Sequence, residues 1–159
     1  MVEAAPLLAA AALPLAVTHQ TGERDVEEVR AGYARAGLAA RVDPFLFEMP
    51  QEMAAADVVV CRAGATTLAE VSAAERAAIL VPLPTATDDH QRRNAEAMVA
   101  RHAAVMVEQR HLTGARLADE VLALARDPER RRTLGAAARA LARPDAAAVI
   151  VEKVLALAG

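Results

Sequence analysis

Short apolar runs rich in β-branched residues alternate with longer helical stretches along most of this chain, and that alternation restricts the fold more than any other feature. The runs are Leu15 to His19, Ala40 to Val42, Val58 to Cys61, Ala78 to Val81 and Val105 to Val107. They read as continuous rather than alternating, the pattern of strands covered by helices on both faces. Helices are expected at about Val26 to Ala36, Met49 to Ala55, Thr67 to Ala74 and His90 to Arg101, with an alanine-rich helix from Val2 to about Ala12 ahead of the first strand. The last third reads as helical, with starts at Thr113, Asp127-Pro128-Glu129 and Pro144-Asp145. There a side-chain oxygen can cap free amides, and Pro128 suits a first helical position.

These elements predict an α/β fold, a Rossmann-like parallel sheet with helices on both faces, as a single domain over residues 1–159. No repeat or linker divides it. Sheets of this kind usually begin with a strand, whereas this chain begins with a helix, so the first βα unit reads as missing.

Aromatic residues make up only 2% of the 159 residues and the formal net charge is −3, so neither base-stacking platforms nor a basic stripe is available and nucleic acid is not an expected partner. The one cysteine, Cys61, ends an apolar run and reads as a buried strand thiol, which suits a reducing cytoplasm. The stretch Ala4 to Val17 is apolar, but Glu3 replaces a positive leader and Pro6 and Pro14 interrupt it. It reads as neither a signal peptide nor a membrane span.

Ligands of parallel α/β sheets bind beyond the carboxyl ends of the strands, so the loops after the strands carry the chemistry. In Cys61-Arg62-Ala63-Gly64-Ala65-Thr66-Thr67-Leu68-Ala69-Glu70 a strand ends in a glycine turn and opens into a helix. Gly64 permits close approach of backbone to a ligand, and the free amides of Ala65, Thr66 and Thr67 favour a diphosphate. Thr66, Thr67 and Glu70 share a helix face, where the Glu70 carboxylate either accepts bonds from ribose hydroxyls or merely complements the dipole and caps. In the loop Val81 to Asn94, Gln91 and Asn94 face one way and suit sugar hydroxyls, while Asp88 and Asp89 read as N-caps. A metal site at Asp88, Asp89 and His90 lacks a second ligand cluster, so no metal or other cofactor is called for. The turn His19-Gln20-Thr21-Gly22 either lines the same cleft or is a plain loop.

Read in order, His19-Gln20-Thr21-Gly22, Pro44-Phe45-Leu46, Ala55 to Glu70, Asp88-Asp89-His90-Gln91 with Asn94, and Ala142 to Ala146 resemble the C-terminal domain of the bacterial peptidoglycan GlcNAc transferase that converts lipid I to lipid II. The resemblance runs from about Val17 to the C-terminus. It implies one half of a two-domain glycosyltransferase, holding UDP-GlcNAc, with lipid I received by an N-terminal acceptor domain or a separate acceptor subunit. By the same resemblance Leu46 offers backbone hydrogen bonds to uracil, Ala65 to Leu68 meet the diphosphate beside Gly64 and Ala69, Glu70 holds the ribose, and Gln91 and Asn94 read the GlcNAc hydroxyls. It implies no catalytic residue in this chain, and a cytoplasmic protein peripheral to the inner face of the membrane through the acceptor half.

Two positions depart from the family pattern. Ala74-Glu75-Arg76-Ala77 stands where Ala-Gly-Leu-Pro is usual, which predicts a blurred helix end, and Phe47 stands where an acidic residue is common. The N-terminal domain and the glycine-serine loop of the donor domain also read as absent. The rival readings are a standalone donor-binding subunit of a two-component enzyme, and a non-catalytic nucleotide-sugar-binding remnant. A UDP-GlcNAc epimerase lacks its catalytic acids in this chain.

Overall fold

The five aliphatic runs form five parallel strands in a computed structural model that describes residues 1–86 and 89–158: β1 Ala16–Gln20, β2 Ala39–Asp43, β3 Val58–Cys61, β4 Ala77–Leu80 and β5 Val105–Met106. The helices before, between and after them are α1 Ala5–Ala9, α2 Val26–Ala36, α3 Met49–Ala55, α4 Ala65–Ala74, α5 His90–Ala100, α6 Gly114–Ala125, α7 Pro128–Arg139 and α8 Ala146–Ala158. Strand and helix alternate from β1 to β5, so each parallel pair is joined by a helical crossover, the connection that parallel strands require.

The strands are hydrogen-bonded as two ladders, β1-β2 and β3-β4-β5. Val58 and Val60 of β3, Ile79 of β4 and Val105 of β5 face a core completed by Leu8, Tyr33, Leu117, Leu124 and Leu134. The intervening Val59, Cys61, Ala78, Leu80 and Met106 face a second core containing Met53, Val71, Ala95, Met98 and Ala138. This pleat alternation, with apolar groups on both sides, is why these strands read as unbroken apolar runs. All of β4 is buried.

The first two strands correct that expectation. Val17 and Val42 join the first core, whereas Ala16, Thr18 and Gln20 of β1 and Ala39, Ala40 and Arg41 of β2 are exposed. Only one face of β1-β2 carries apolar cover, since the second core includes no residue of either strand.

The N-terminal segment also differs from the helix expected over Val2 to Ala12. A 3-10 turn covers Val2–Ala4 and α1 ends at Ala9, with Ala12 at φ 54°. Leu13 precedes Pro14, and a residue before proline disfavours helical backbone. The segment is packed tightly: Ala4, Ala5 and Leu8 are no more than 1% exposed, and a Cβ on Gly114 of α6 would stand 2.6 Å from the Glu3 carbonyl oxygen.

The helix end at Ala74-Glu75-Arg76-Ala77 is sharp rather than blurred. Glu75 takes the left-handed conformation (φ 58°), with Glu75 N–H donating to the Ser72 carbonyl and Arg76 N–H to the Val71 carbonyl. The double hydrogen bond of a glycine-capped end survives without the glycine. Arg76 then donates from Nη2 to the Ala54 carbonyl at 2.7 Å, tying α4 to α3.

Candidate functional site

The amino end of α4 is built by β3, whose last residue Cys61 leads through Arg62 and Ala63 to Gly64. Gly64 has φ −67° and ψ 145°, ordinary extended backbone, and the heavy atom nearest to a Cβ placed on it is Thr67 Oγ1 at 3.9 Å. Neither conformation nor internal packing demands glycine there; what its missing side chain leaves is open surface over the helix end. The N–H groups of Ala65, Thr66 and Thr67 donate to no described residue, and the first bond into the helix is Leu68 N–H to the Gly64 carbonyl, 2.9 Å. Three free amides at the positive end of a helix suit an anion.

One turn further on, Glu70 is exposed and makes no hydrogen bond or ion pair with any described residue. The capping alternative is thus without a bond to support it. Burial pushes the Cys61 thiol up to about 12, and the negative charge of Glu70 adds to the shift, which puts the carboxylate within electrostatic reach of the end of β3.

Helix α5 leans on the same strand end. Asn94 Nδ2 donates to the Ala63 carbonyl at 3.1 Å, and Gln91 Oε1 accepts from Leu83 N–H at 3.0 Å, three residues apart on one face. Both side chains therefore hold strand-end loops, and each keeps a second amide group that bonds to no described residue. Arg62, which sequence reading did not single out, completes the frame. Its Nη1 donates to the Val81 carbonyl at 3.1 Å and to Gln109 Oε1 at 2.8 Å, joining the ends of β3, β4 and β5. Asp89 occupies the N-cap position of α5 without a side-chain cap bond and pairs instead with Arg92 at 3.6 Å. Asp88, the other expected cap, lies outside the described residues.

A second group forms at the ends of β1 and β2. Thr21 N–H donates to the Asp43 carbonyl and Gly22 N–H to the Pro44 carbonyl, while Gln20 Oε1 accepts from Leu46 N–H at 2.9 Å. The turn His19 to Gly22 is thus more than a plain loop: it supports the Pro44 to Phe47 loop. Leu46 is buried, and Phe45 and Phe47 stand exposed on either side in edge-to-face contact, centroids 5.0 Å apart. Behind the turn, Tyr33 and His19 Nδ1 share a 3.0 Å hydrogen bond. No hydrogen bond or ion pair among the described residues links this group to the α4 amides. Two clefts lie away from both, one beside α1 and α2, the other lined by Asp57, Arg76 and Arg131.

A family model described as the glycosyltransferase family 28 C-terminal domain matches residues 1–150. The UDP-N-acetylglucosamine–N-acetylmuramyl-(pentapeptide) pyrophosphoryl-undecaprenol N-acetylglucosamine transferase of Pelobacter propionicus is 52% identical over 155 residues, covering 98% of this chain and 41% of the relative. The enzyme of the same description from Geotalea uraniireducens is 48% identical over 153 residues, covering 96% and 42%. The chain thus spans about two fifths of the length of these relatives. Among solved structures, Acinetobacter baumannii MurG superposes with a TM-score of 0.86 at 35% identity, over 95% of this chain and 44% of that one. The glycosyltransferase VinC, solved with dTDP, shares the fold at a TM-score of 0.64 and 22% identity, over 85% of this chain and 31% of that one.

Proposed function

Because the chain belongs to the glycosyltransferase family 28 C-terminal domains, we propose that it binds UDP-GlcNAc as the donor half of a hexosyltransferase that moves GlcNAc onto lipid I to form lipid II. The observation that carries this reading is the amino end of α4, where the free amides of Ala65, Thr66 and Thr67 lie under an uncovered Gly64 with the unpaired Glu70 one turn away.

In this reading the diphosphate rests on the backbone from Ala65 to Leu68, beside Gly64 and Ala69. Glu70 accepts from the ribose hydroxyls, a charge-assisted pairing suited to an exposed carboxylate. The Leu46 backbone meets the base, and the remaining amide groups of Gln91 and Asn94 meet the sugar hydroxyls. The acceptor hydroxyl attacks the anomeric carbon from the face opposite the diphosphate, the bond to the diphosphate oxygen breaks, and UDP departs with inversion. As negative charge grows on the leaving oxygen, the fixed α4 amides stabilise it without reorganising. The group that takes the acceptor's proton, lipid I binding and contact with the inner face of the membrane belong to an acceptor half, joined or separate. No helix of the described residues is long and apolar enough to cross a membrane.

Calorimetric titration of the chain with UDP-GlcNAc, with UDP-glucose and UDP alongside, tests the proposal. Saturable binding that prefers UDP-GlcNAc is expected, and its loss in Glu70→Ala with the melting temperature unchanged, because Glu70 supports nothing in the fold. A folded wild-type chain that binds none of the three refutes the reading.

A further inference from the structure

The guanidinium of Arg62 is anchored at one corner only. Nη1 donates to the Val81 carbonyl at 3.1 Å and to Gln109 Oε1 at 2.8 Å, with the Pro82 carbonyl 3.4 Å away, so both its hydrogens are taken. Nε and Nη2 donate to no described residue, and they form the edge whose parallel N–H bonds match two oxygens of a phosphate or carboxylate. Arg62 is exposed, and its three acceptors are all uncharged. Arg30, Arg41, Arg92, Arg116 and Arg132 pair with carboxylates instead. Even Glu108, the residue before Gln109, is turned to Arg110 Nε at 2.8 Å. The charge of Arg62 is thus held at the carboxyl ends of β3, β4 and β5, and no described residue neutralises it.

We propose that Arg62 is a donor-binding residue whose Nε–Nη2 edge takes two diphosphate oxygens, and that Gln109 is a positioning residue that holds this edge in place without cancelling its charge. The inference rests on the donor-site reading above and adds the cation that reading lacks. A helix end offers about half a positive charge. The diphosphate of a nucleotide sugar is doubly charged, the chain carries a formal net charge of −3, and the unpaired Glu70 stands one turn from the α4 amides. A full cation on the connection that leads into α4 offsets that repulsion. Departure of UDP leaves more negative charge on the diphosphate, so the same edge favours the leaving group. Lysine at this position would offer a point charge but could not be pinned at one corner and still present a fork. Glutamate at position 109 would pin the same corner and neutralise it.

The test is titration of the full chain with UDP and with uridine, which keeps the base and ribose but has no phosphate, in wild type, Arg62→Gln and Gln109→Glu. Amide NMR shifts follow the binding, since they read weak affinities as well as tight ones. Arg62→Gln is expected to weaken UDP by at least about tenfold, what one charge-assisted pairing supplies, and to leave uridine within about twofold. An Arg62 that only braces the strand ends would weaken both ligands together, and that result overturns the inference. Gln109→Glu keeps the oxygen that holds Nη1, so the melting temperature is expected to hold while UDP weakens severalfold and uridine does not. This variant carries the test if Arg62→Gln fails to fold. Either variant binding UDP as wild type does overturns the inference and leaves the donor site standing, and so does Gln109→Glu weakening both ligands alike. A folded wild type that binds UDP no better than uridine overturns the inference together with the diphosphate seat at α4, and one that binds neither sinks the whole donor-site reading.

Discussion

Asn94 Nδ2 donates to the carbonyl of the buried residue Ala63 at 3.1 Å, so α5 fastens the loop from which α4 begins. Asn94→Asp would turn an acceptor toward that carbonyl and leave it without a donor. A loss of about 1–3 kcal/mol in stability is expected, together with weaker donor binding, because the α4 amides lose their anchor. Gln91 separates the two effects. In Gln91→Glu the oxygen that accepts from Leu83 N–H is kept, so the urea midpoint should hold within about 0.5 kcal/mol while affinity for UDP-GlcNAc falls. Equal destabilisation in both variants would show that Gln91 has no duty beyond its loop.

Capping at the C-terminal helices is unequal, and the inequality is measurable. Thr113 accepts from Arg116 N–H at 3.0 Å and Asp127 from Arg130 N–H at 2.9 Å, whereas Asp89 caps nothing. Thr113→Ala and Asp127→Ala should each cost about 1 kcal/mol in chemical denaturation, and Asp89→Ala clearly less. A cost at Asp89 matching the other two would contradict the geometry.

Glu75 is the position where the sequence argues against the backbone it adopts. Its φ of 58° suits glycine, and the helix-ending hydrogen bonds to Val71 and Ser72 do not involve its side chain. Glu75→Gly should therefore raise stability by about 0.5–1 kcal/mol, read as a higher urea midpoint at unchanged slope, since relief of the left-handed strain exceeds the extra chain entropy of glycine. A lower midpoint would mean that the Glu75 side chain holds the helix end.

Much of the fold was legible because periodicity and caps are local signals. Val26–Ala36, Met49–Ala55 and Val58–Cys61 fall where the apolar pattern puts them, and Thr113 and Asp127 cap as their types suggest. The exposed face of β1-β2 was legible only in the polar insertions Thr18, Gln20 and Arg41, which a reading fixed on apolar runs passes over. The end of α4 was misjudged because propensity at Glu75 yields to hydrogen bonds and packing around it. At the site, the α4 amides and Glu70 follow from a strand–glycine–helix pattern. The tie between Gln20 and Leu46 does not, because it joins residues 26 positions apart that only parallel pairing of β1 with β2 brings together.

The pair His19 and Tyr33 gives the fold a pH dependence with a definite sign. Burial lowers the His19 pKa, with the N-terminal ammonium adding to the shift, and burial pushes the Tyr33 hydroxyl up to about 12. Tyr33 thus keeps its proton at neutral pH and can donate to Nδ1 of a neutral imidazole, 3.0 Å away. Because the folded pKa of His19 lies below its ordinary value of about 6.5, the unfolded chain takes up this proton first as pH falls. The contribution of His19 is full above that value and is lost as pH drops through the folded pKa. Wild type should lose more of its urea midpoint between neutral and mildly acidic pH than His19→Gln, whose amide can still accept from Tyr33 but cannot titrate. The carboxylates titrate in both chains, so the difference between the two pH profiles reports His19 alone. Parallel profiles would mean that the imidazole is as well solvated in the fold as outside it, and the turn that supports Leu46 would then owe nothing to its protonation state.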